Sequence, residues 1–200
     1  MVLAGGRSTR FGSDKASALL AGKPMLQWVL SAIEKVCGEV IVVAAQGQVL
    51  PEVASGAPLR VVRDRYEAAG PLAGMVTAFE DPPADVCLVV SCDAPLLAPD
   101  LLQHLVERIG EAAVACPEVA GQLQPLVAAY RPAVCLAPFR AAVERGERGV
   151  LRALRELDGV VVLSEDEVRR FDPELRSFAG VNTPTELVRA EALVAARRKP

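Results

Sequence analysis

Residues 86–95 read Val-Cys-Leu-Val-Val-Ser-Cys-Asp-Ala-Pro, and this stretch is the clearest guide to the fold. Val86–Val90 is apolar at every position, whereas a strand with one face in water would alternate apolar and polar residues. An unbroken run of this length is typical of a strand that helices cover on both faces of a parallel sheet. We therefore expect an α/β domain in which this strand is central.

Similar short runs recur along the chain, and stretches of helical period separate them. Strands are predicted at Val2–Leu3, Val40–Ala45, Leu59–Val62, Val86–Ser91, Ala112–Cys116, Leu126–Tyr130, Val160–Leu163 and Phe178–Val181. Helices are predicted to begin near Pro24, Pro99 and Pro184, because proline at the first helical position costs no hydrogen bond. The alternation predicts a three-layer, doubly wound α/β fold with a largely parallel, Rossmann-like sheet.

Length and composition limit the classes of protein to consider. The chain has 200 residues and is expected to form one domain over residues 1–200. Its 52% hydrophobic and 24% charged residues exclude intrinsic disorder. The net charge of −3 argues against a general nucleic-acid binder, which would carry a basic excess.

Three features predict a cytoplasmic protein with no membrane partner. Met1–Gly6 lacks the charged start of a secretion signal, so no signal peptide is expected. The mean hydropathy of +0.29 comes from scattered residues rather than a membrane-length run, so no transmembrane span is expected. The 5 cysteines contain no Cys-x-x-Cys pair and are interpreted as buried, reduced thiols.

A glycine-rich segment with basic residues follows the first predicted strand. Gly5 and Gly6 would let the backbone approach a ligand with free N–H groups, and Arg7, Arg10 and Lys15 add positive charge. This combination suits a polyphosphate, but the spacing matches neither a Walker A loop nor a G-x-G-x-x-G fingerprint. A glycine-rich surface turn with incidental basic residues would have the same composition, so both interpretations remain open at this point.

Two aspartates follow predicted strands, where ligands bind in sheets of this kind. Asp93 comes directly after the apolar run, and a carboxylate there is well placed to hold Mg²⁺ beside phosphate oxygens. An Asx turn is the alternative for Asp93, and we favour the metal. Asp64 lies between Arg63 and Arg65, and on the residues alone a surface ion pair is the stronger interpretation.

Motifs that the sequence lacks also limit the reaction types to consider. The single histidine, His104, lies within a predicted helix, where a filler role is far more common than catalysis. No Gly-x-Ser-x-Gly or paired-carboxylate arrangement appears. Transfer between phosphates therefore fits best, because an attacking phosphate is already ionised and needs positioning and charge neutralisation.

Residues 3–15, LAGGRSTRFGSDK, resemble the signature of nucleotidyltransferases that activate sugars, isoprenoid precursors and the molybdenum cofactor. Gly6 and the pair Asp14-Lys15 are closest to the molybdenum cofactor guanylyltransferase family, since its cytidylyltransferase cousin more often has Ala-Ala-Gly. Further similar motifs follow in order: Gly70–Met75, Cys92–Pro95, Gln124–Leu126 and Val181–Pro184. Each piece is short, but their order is specific and spans essentially the whole chain.

The resemblance implies a nucleotidyltransferase that transfers GMP from GTP to a molybdopterin-type cofactor, with Mg²⁺, and that releases pyrophosphate. It implies nucleotide contacts at Leu3, Ala4, Gly5, Gly6, Lys15, Asp64 and Asp93. Transient contact with molybdoenzyme maturation proteins is also implied. For Asp64 this role replaces the surface ion pair favoured above.

The resemblance further implies the division of roles within the site. Lys15 would neutralise phosphate charge, Asp93 would hold Mg²⁺, and Arg10 would act as a cation in the transition state. Gly70–Met75 would form a loop near the nucleotide. The acceptor would meet Gln124, Pro125 and Asn182.

Two departures from the family pattern concern substrate recognition. An asparagine after the second strand is common in the family, whereas this chain has Ala44-Ala45-Gln46. A second asparagine often stands where this chain has Gly180. A cytidylyl- or sugar-1-phosphate nucleotidyltransferase and a non-catalytic, GTP-binding cofactor-delivery protein are therefore kept as alternatives.

Overall fold

The computed structural model describes residues 1–5, 14–66, 70–80 and 84–197. Its strands are β1 (Val2–Leu3), β2 (Leu19–Leu20), β3 (Lys23–Pro24), β4 (Val40–Ala44), β5 (Leu59–Arg63), β6 (Cys87–Ser91), β7 (Val114–Val119), β8 (Gln122–Leu123), β9 (Val127–Tyr130) and β10 (Val160–Leu163). Its helices are α1 (Met25–Ile33), α2 (Pro71–Phe79), α3 (Pro99–Arg108), α4 (Pro132–Glu144), α5 (Val150–Leu154), α6 (Glu165–Arg169) and α7 (Pro184–Arg197), with 3-10 turns at Lys15–Ser17 and Arg176–Phe178.

The main sheet has the order β10-β7-β9-β6-β1-β4-β5. The strands β6, β1, β4 and β5 are mutually parallel, and Val2 pairs with Val42 on one side and Val90 on the other. Strand β9 is antiparallel to both β6 and β7, so β7 and its parallel neighbour β10 run in the same direction as β1. The mixed sheet of mostly parallel strands confirms the predicted α/β fold.

Helices cover both faces of this sheet, as the apolar strands predict. Val42 and Val90 pack with Leu30 and Leu102 from α1 and α3, whereas the adjacent strand residues face the opposite layer. There Val43 and Val89 pack with residues of α2 and α4, among them Met75 and Phe139. Neighbouring residues of one strand point to opposite faces, so the two apolar layers follow directly from the unbroken apolar runs.

The predicted strand at Phe178–Val181 is wrong. Residues Arg176–Phe178 form a 3-10 turn instead. The buried carboxylate of Asp172 accepts hydrogen bonds from the backbone N–H groups of Arg176 and Ser177, at 3.1 and 2.7 Å. The N–H groups of Phe178 and Ala179 in turn donate to the carbonyls of Leu175 and Arg176, at 3.1 and 3.0 Å, so they close local turns and do not join a sheet ladder. The strand predicted at Ala112–Cys116 also begins and ends later, at Val114–Val119.

The predicted turn at Gly22 is present, but it joins β2 to β3 before α1 begins. Ala21 and Gly22 both have positive φ, at 48° and 79°, which suits a tight hairpin. Helix α1 then begins at Met25, with Pro24 as its N-cap.

Within the described residues, no helix has the length and apolar character needed to cross a membrane. The cysteines all fall in the described part of the chain and are free thiols, three buried and two (Cys37 and Cys87) half-buried.

Candidate active site

The ends of β1 and β6 bring the start of the glycine-rich segment beside Asp93. The backbone N–H of Cys92 donates to the carbonyl of Leu3 at 3.0 Å. Ala4 and Gly5 both donate to the carbonyl of Val43, at 2.8 and 3.1 Å, so the chain turns away from the sheet at this point. A Cβ on Gly5 would lie 3.2 Å from the backbone nitrogen of Ala45, which favours glycine here.

Lys15 contacts two side chains that are distant in the sequence. Its ammonium lies 3.3 Å from Oδ2 of Asp93 and 2.5 Å from Oδ1 of Asn182. The backbone N–H of Val181 donates to the carbonyl of Asp93 at 2.8 Å, and this bond holds the Asn182 segment against the end of β6. The structure therefore brings together Lys15, Asp93 and Asn182.

This cluster has the chemistry of a phosphate and cation site. A carboxylate oxygen and an amide oxygen converge on one position that a positive charge now fills, and both are ligands that hard divalent cations prefer. The Lys15 and Asp93 side chains remain 21% and 26% exposed, so a ligand can reach them. Among the residues described, no group of three or more His, Cys, Asp or Glu could hold a metal alone. A cation here would therefore need ligand or water oxygens as well.

The thiol next to Asp93 takes no part as a nucleophile. Burial, with the neighbouring Asp93 carboxylate, raises the pKa of Cys92 to about 12. The group therefore stays protonated at neutral pH and packs as a small apolar side chain.

Asp64, at the end of β5, is held by hydrogen bonds and not by its flanking arginines. Its Oδ1 accepts from the backbone N–H of Tyr66 at 3.0 Å and from the hydroxyl of Thr77 at 3.1 Å. Arg65 pairs instead with Glu80, and Arg63 donates to backbone carbonyls. The surface ion pair considered from the sequence alone is therefore not formed in the described residues.

The stretch where the family asparagine is missing contributes two glutamines. Gln46 donates to the backbone carbonyl of Asp64 at 2.8 Å, and this hydrogen bond is exposed to solvent. Gln48 donates to Asp14 Oδ2 at 2.7 Å and to the carbonyl of Ala4 at 3.0 Å. The sequence analysis missed Gln48, because a glutamine in a polar turn has no distinguishing local signal.

The loop expected at Gly70–Met75 is helical. Pro71 is the first residue of α2, and Gly70 precedes it with a φ of 81°. A Cβ on Gly70 would lie 2.7 Å from the carbonyl oxygen of Arg148, so a larger residue would clash. The expectation of a loop was wrong because a proline at the first helical position begins a helix more readily than it continues a turn.

The predicted acceptor residues Gln124 and Pro125 lie before β9, at the same edge of the sheet as Asp93. The backbone N–H of Ser91 donates to the carbonyl of Leu126 at 3.2 Å, which joins the two segments. The carbonyl of Pro125 accepts from the hydroxyl of the buried Tyr130 at 2.7 Å. Gly6 and Arg10, by contrast, lie outside the described residues.

The model of the MobA-like NTP transferase domain matches residues 1–160 of this chain. A probable molybdenum cofactor guanylyltransferase of Chloroflexus aggregans is 33% identical, over 96% of this chain and 92% of that protein. A molybdenum cofactor guanylyltransferase of Desulfosudis oleivorans is 30% identical, over 99% of this chain and 96% of that protein.

Solved structures agree with this similarity. Molybdopterin-guanine dinucleotide biosynthesis protein A from Archaeoglobus fulgidus superposes with a TM-score of 0.78 at 26% identity, covering 98% of this chain and 97% of that one. The 2-C-methyl-D-erythritol 4-phosphate cytidylyltransferase of Thermus thermophilus has a TM-score of 0.72 at 18% identity, with 97% of both chains covered. The latter similarity concerns the fold alone.

Proposed function

The chain belongs to the MobA-like NTP transferase family, and we propose on that premise that it transfers GMP from GTP to a molybdopterin-type cofactor. The products are the guanine dinucleotide cofactor and pyrophosphate. The observation that carries the proposal is the Lys15 ammonium, which contacts both Asp93 and Asn182. Relatives of nearly the same length that bear the guanylyltransferase name support the choice of substrates.

The nucleotide is proposed to bind across the ends of β1 and β5. Leu3, Ala4, Gly5 and Gly6 are proposed to contact it. The N–H groups of Ala4 and Gly5 already donate to the Val43 carbonyl, so the free N–H expected at Gly5 is not available in this structure. Asp64 would bind the guanosine side. Its Oδ1 is occupied by Tyr66 and Thr77, and a fixed carboxylate of this kind recognises a donor at one defined position.

The reaction is proposed to be an in-line attack by the terminal phosphate of the acceptor on the α-phosphate of GTP. The bond from the α-phosphorus to the bridging oxygen breaks, and pyrophosphate leaves with its electron pair. The attacking phosphate is already ionised, so no protein base is needed. Lys15 and Arg10 would neutralise the charge on the transferred group and the leaving pyrophosphate.

Asp93 is proposed to hold Mg²⁺, since its carboxylate is a hard oxygen ligand at the end of a rigid strand. When bound, the ion supplies further neutralisation of phosphate charge. The amide oxygen of Asn182 accepts from the same Lys15 ammonium that contacts Asp93, and this shared contact supports a role for Asn182 in the site. Gln124, Pro125 and Asn182 are proposed to contact the acceptor. Transient contact with molybdoenzyme maturation proteins and a cytoplasmic location also remain predictions.

The first experiment is a thermal-shift panel with GTP, CTP, UTP and ATP, each with and without Mg²⁺. A nucleotide at about 100 times its dissociation constant stabilises the native state by roughly 2.7 kcal/mol. For a chain of this size each kcal/mol raises the melting temperature by about 2–4 °C. A shift specific to GTP is expected, whereas a preference for CTP or UTP would contradict the guanylyl assignment.

A turnover assay separates catalysis from delivery. Purified protein with GTP, Mg²⁺ and the molybdopterin-type acceptor should release pyrophosphate and form the dinucleotide. Binding of GTP without turnover in the presence of acceptor would instead identify a non-catalytic carrier.

A further inference from the structure

The carboxamide of Gln48 connects three segments of the chain. Its nitrogen donates to the carbonyl of Ala4 at 3.0 Å and to Oδ2 of Asp14 at 2.7 Å. Its oxygen accepts from the backbone N–H of Ala45 at 2.9 Å. A primary amide has two N–H donors, so both are used here.

The turn that carries Gln48 is itself fixed by hydrogen bonds. The backbone N–H of Gln48 donates to the carbonyl of Ala45 at 3.2 Å, which closes the turn. Arg63, at the end of β5, donates to the Gln48 carbonyl at 2.7 Å and to the Ala45 carbonyl at 3.1 Å. The carboxamide therefore projects from a closed turn anchored to the sheet, and little conformational freedom is left to lose when a ligand binds.

Asp14 links Gln48 to the 3-10 turn that carries Lys15. Its Oδ1 accepts from the backbone N–H of Ala16 at 2.9 Å and so caps the 3-10 turn that begins at Lys15. Its Oδ2 is held by Gln48. Both oxygens of the aspartate are thus hydrogen-bonded. Oδ1 caps the turn that carries the proposed catalytic lysine, and Oδ2 accepts from Gln48.

We propose that Gln48 is a positioning residue for GMP transfer. It fixes the position of Lys15 relative to the Ala4–Gly5 backbone. Ala4 precedes the glycine-rich segment and Asp14 ends it, so one carboxamide defines the separation of the two ends. Gln48 acts through Asp14 and Ala4 and is not itself proposed to contact substrate. The inference rests on the proposed function, because its consequence is the placement of Lys15 against phosphate.

The chemistry of the contact explains why glutamine is required. Glutamate would keep the bond to the Ala45 N–H but would place a second carboxylate against Asp14 and the Ala4 carbonyl. Leucine keeps a similar shape and removes all three hydrogen bonds. Both substitutions should break the contact with the Asp14 carboxylate. Glutamate does so through repulsion, and leucine does so because it has no donor.

Gln27 in α1 provides a matched control. Its carboxamide likewise makes three hydrogen bonds. It donates to the Ala54 carbonyl at 2.8 Å and to the Ser31 hydroxyl at 3.4 Å, and it accepts from the Ala54 N–H at 2.8 Å. Ala54 lies in the same β4–β5 connection as Gln48. Within the part of the chain that the structure describes, Gln27 makes no hydrogen bond to Asp14 or Ala4, so its replacement removes a similar number of hydrogen bonds away from the site.

The test compares Gln48→Leu and Gln48→Glu with Gln27→Leu in the turnover assay. We expect kcat to fall by about 10–100-fold in the Gln48 variants, because a displacement of about 1 Å can cost 10²-fold in rate. Gln27→Leu should keep the wild-type kcat. A Gln48→Leu protein that is folded by circular dichroism and retains wild-type kcat would overturn the proposal.

A double variant that exchanges the donor and the acceptor distinguishes a positioning role of Gln48 from a general effect on stability. Asp14→Asn combined with Gln48→Glu restores a donor–acceptor contact with the polarity exchanged, and the asparagine oxygen can still cap Ala16. The double variant should recover roughly 5–10-fold in kcat over Gln48→Glu alone, as expected for residues in one hydrogen-bond network. A double variant no faster than the worse single variant would contradict a direct Asp14–Gln48 link.

Hydrogen–deuterium exchange tests the contact without requiring turnover. In Gln48→Leu the amides of Ala45 and Ala16 should exchange faster than in wild type, whereas Gln27→Leu should affect Ala54. Unchanged exchange at Ala16 would contradict the role of Gln48. A wild-type protein that makes no dinucleotide would overturn the proposed function, and the exchange result would still decide whether Gln48 holds Asp14.

Discussion

The two ends of the same parallel strands differ sharply in chemistry. At their carboxyl ends Lys15 contacts Asp93 and Asn182, and Gln48 contacts Asp14, the chain neighbour of Lys15. At their amino ends there is a cavity of about 230 Å³. Its lining is mainly apolar and includes Val36, Cys37, Ile41, Phe79, Val86, Cys87 and Val106.

The difference follows from the direction of the chain. Helices that follow parallel strands begin at the carboxyl edge, where unpaired N–H groups and turn residues attract polar partners. At the amino edge the side chains that line the cavity are mainly apolar, and the charged residues there, Glu39 and Arg60, pair with each other at 2.6 Å. Helix α2 spans the two edges, since Gly70 precedes its first turn and Phe79 ends it beside the cavity. The comparison predicts that substitutions of the polar side chains at the carboxyl edge change activity, whereas substitutions that alter backbone strain or packing, at either edge, change stability.

The largest effect is expected from Asp93→Ala. Loss of one preorganised charge typically lowers kcat by about 10²–10³-fold. The free energy of unfolding should change by less than about 1 kcal/mol, because the partly exposed pair with Lys15 adds little stability. Asp100→Ala, on the exposed first turn of α3, is the control and should keep full activity. Near-normal turnover of Asp93→Ala with limiting Mg²⁺ would refute the metal assignment.

Gly70→Ala should destabilise the protein where α2 meets the carboxyl edge. The new Cβ would lie 2.7 Å from the Arg148 carbonyl oxygen, in a backbone conformation with a φ of 81°. Strain of this kind costs about 1–3 kcal/mol, and thermal denaturation should show a lower melting temperature. Gly38→Ala has no atom within 4 Å of its Cβ and should melt like wild type. Equal melting temperatures for the two variants would contradict the close approach of Arg148.

Ala78→Leu tests the opposite end of the same helix. Ala78 lines the cavity, and a larger apolar side chain there should raise stability by about 0.5–2 kcal/mol. The matched variant Ala73→Leu inserts the same group into a fully buried position that does not line the cavity, and it should lose about 1–3 kcal/mol. Chemical denaturation measures both. A fall in kcat for Ala78→Leu would mean that the two edges are coupled.

The smallest effect concerns a charged cluster away from the site. His104 Nε2 lies 2.9 Å from Glu167, and Arg108 donates to the same oxygen at 2.8 Å. The contact with His104, followed by that with Arg108, lowers the pKa of Glu167 below its ordinary value of 4.5. The charged form is therefore favoured by folding, and this stability is present above about pH 4.5 and lost as the pH falls through the lowered pKa.

Glu167→Gln should consequently reduce stability at pH 7 by a few tenths to about 1 kcal/mol, since the pair is partly exposed. The difference from wild type should disappear in strong acid, and kcat should not change. Denaturation curves at several pH values measure the effect. A difference that grew as the pH fell would contradict the assigned sign.

Local patterns were sufficient for much of the fold. The apolar runs predicted β1, β4, β5, β6, β9 and β10 within one residue at each end. Central strands covered on both faces need apolar side chains at every position, whereas the edge strand β5 carries Arg60 and Arg63 and was found from its β-branched residues. Phe178–Val181 was misread because it is apolar, yet the N–H groups of Phe178, Ala179 and Gly180 donate to nearby carbonyls within residues 175–178. The Asp172 carboxylate caps the turn just before this stretch, and the apolar pattern contained no signal for that contact.

What the sequence determined by itself is the alternation of strands and helices, the basic glycine-rich segment and the position of Asp93 at a strand end. Each is encoded in neighbouring residues, through periodicity and turn chemistry. The tertiary structure alone decided that Asn182, 167 positions from Lys15, would bond to it. It also decided that Gln48 would join Ala4 to Asp14. Such contacts depend on the order and register of the strands, which bring distant segments to one edge of the sheet.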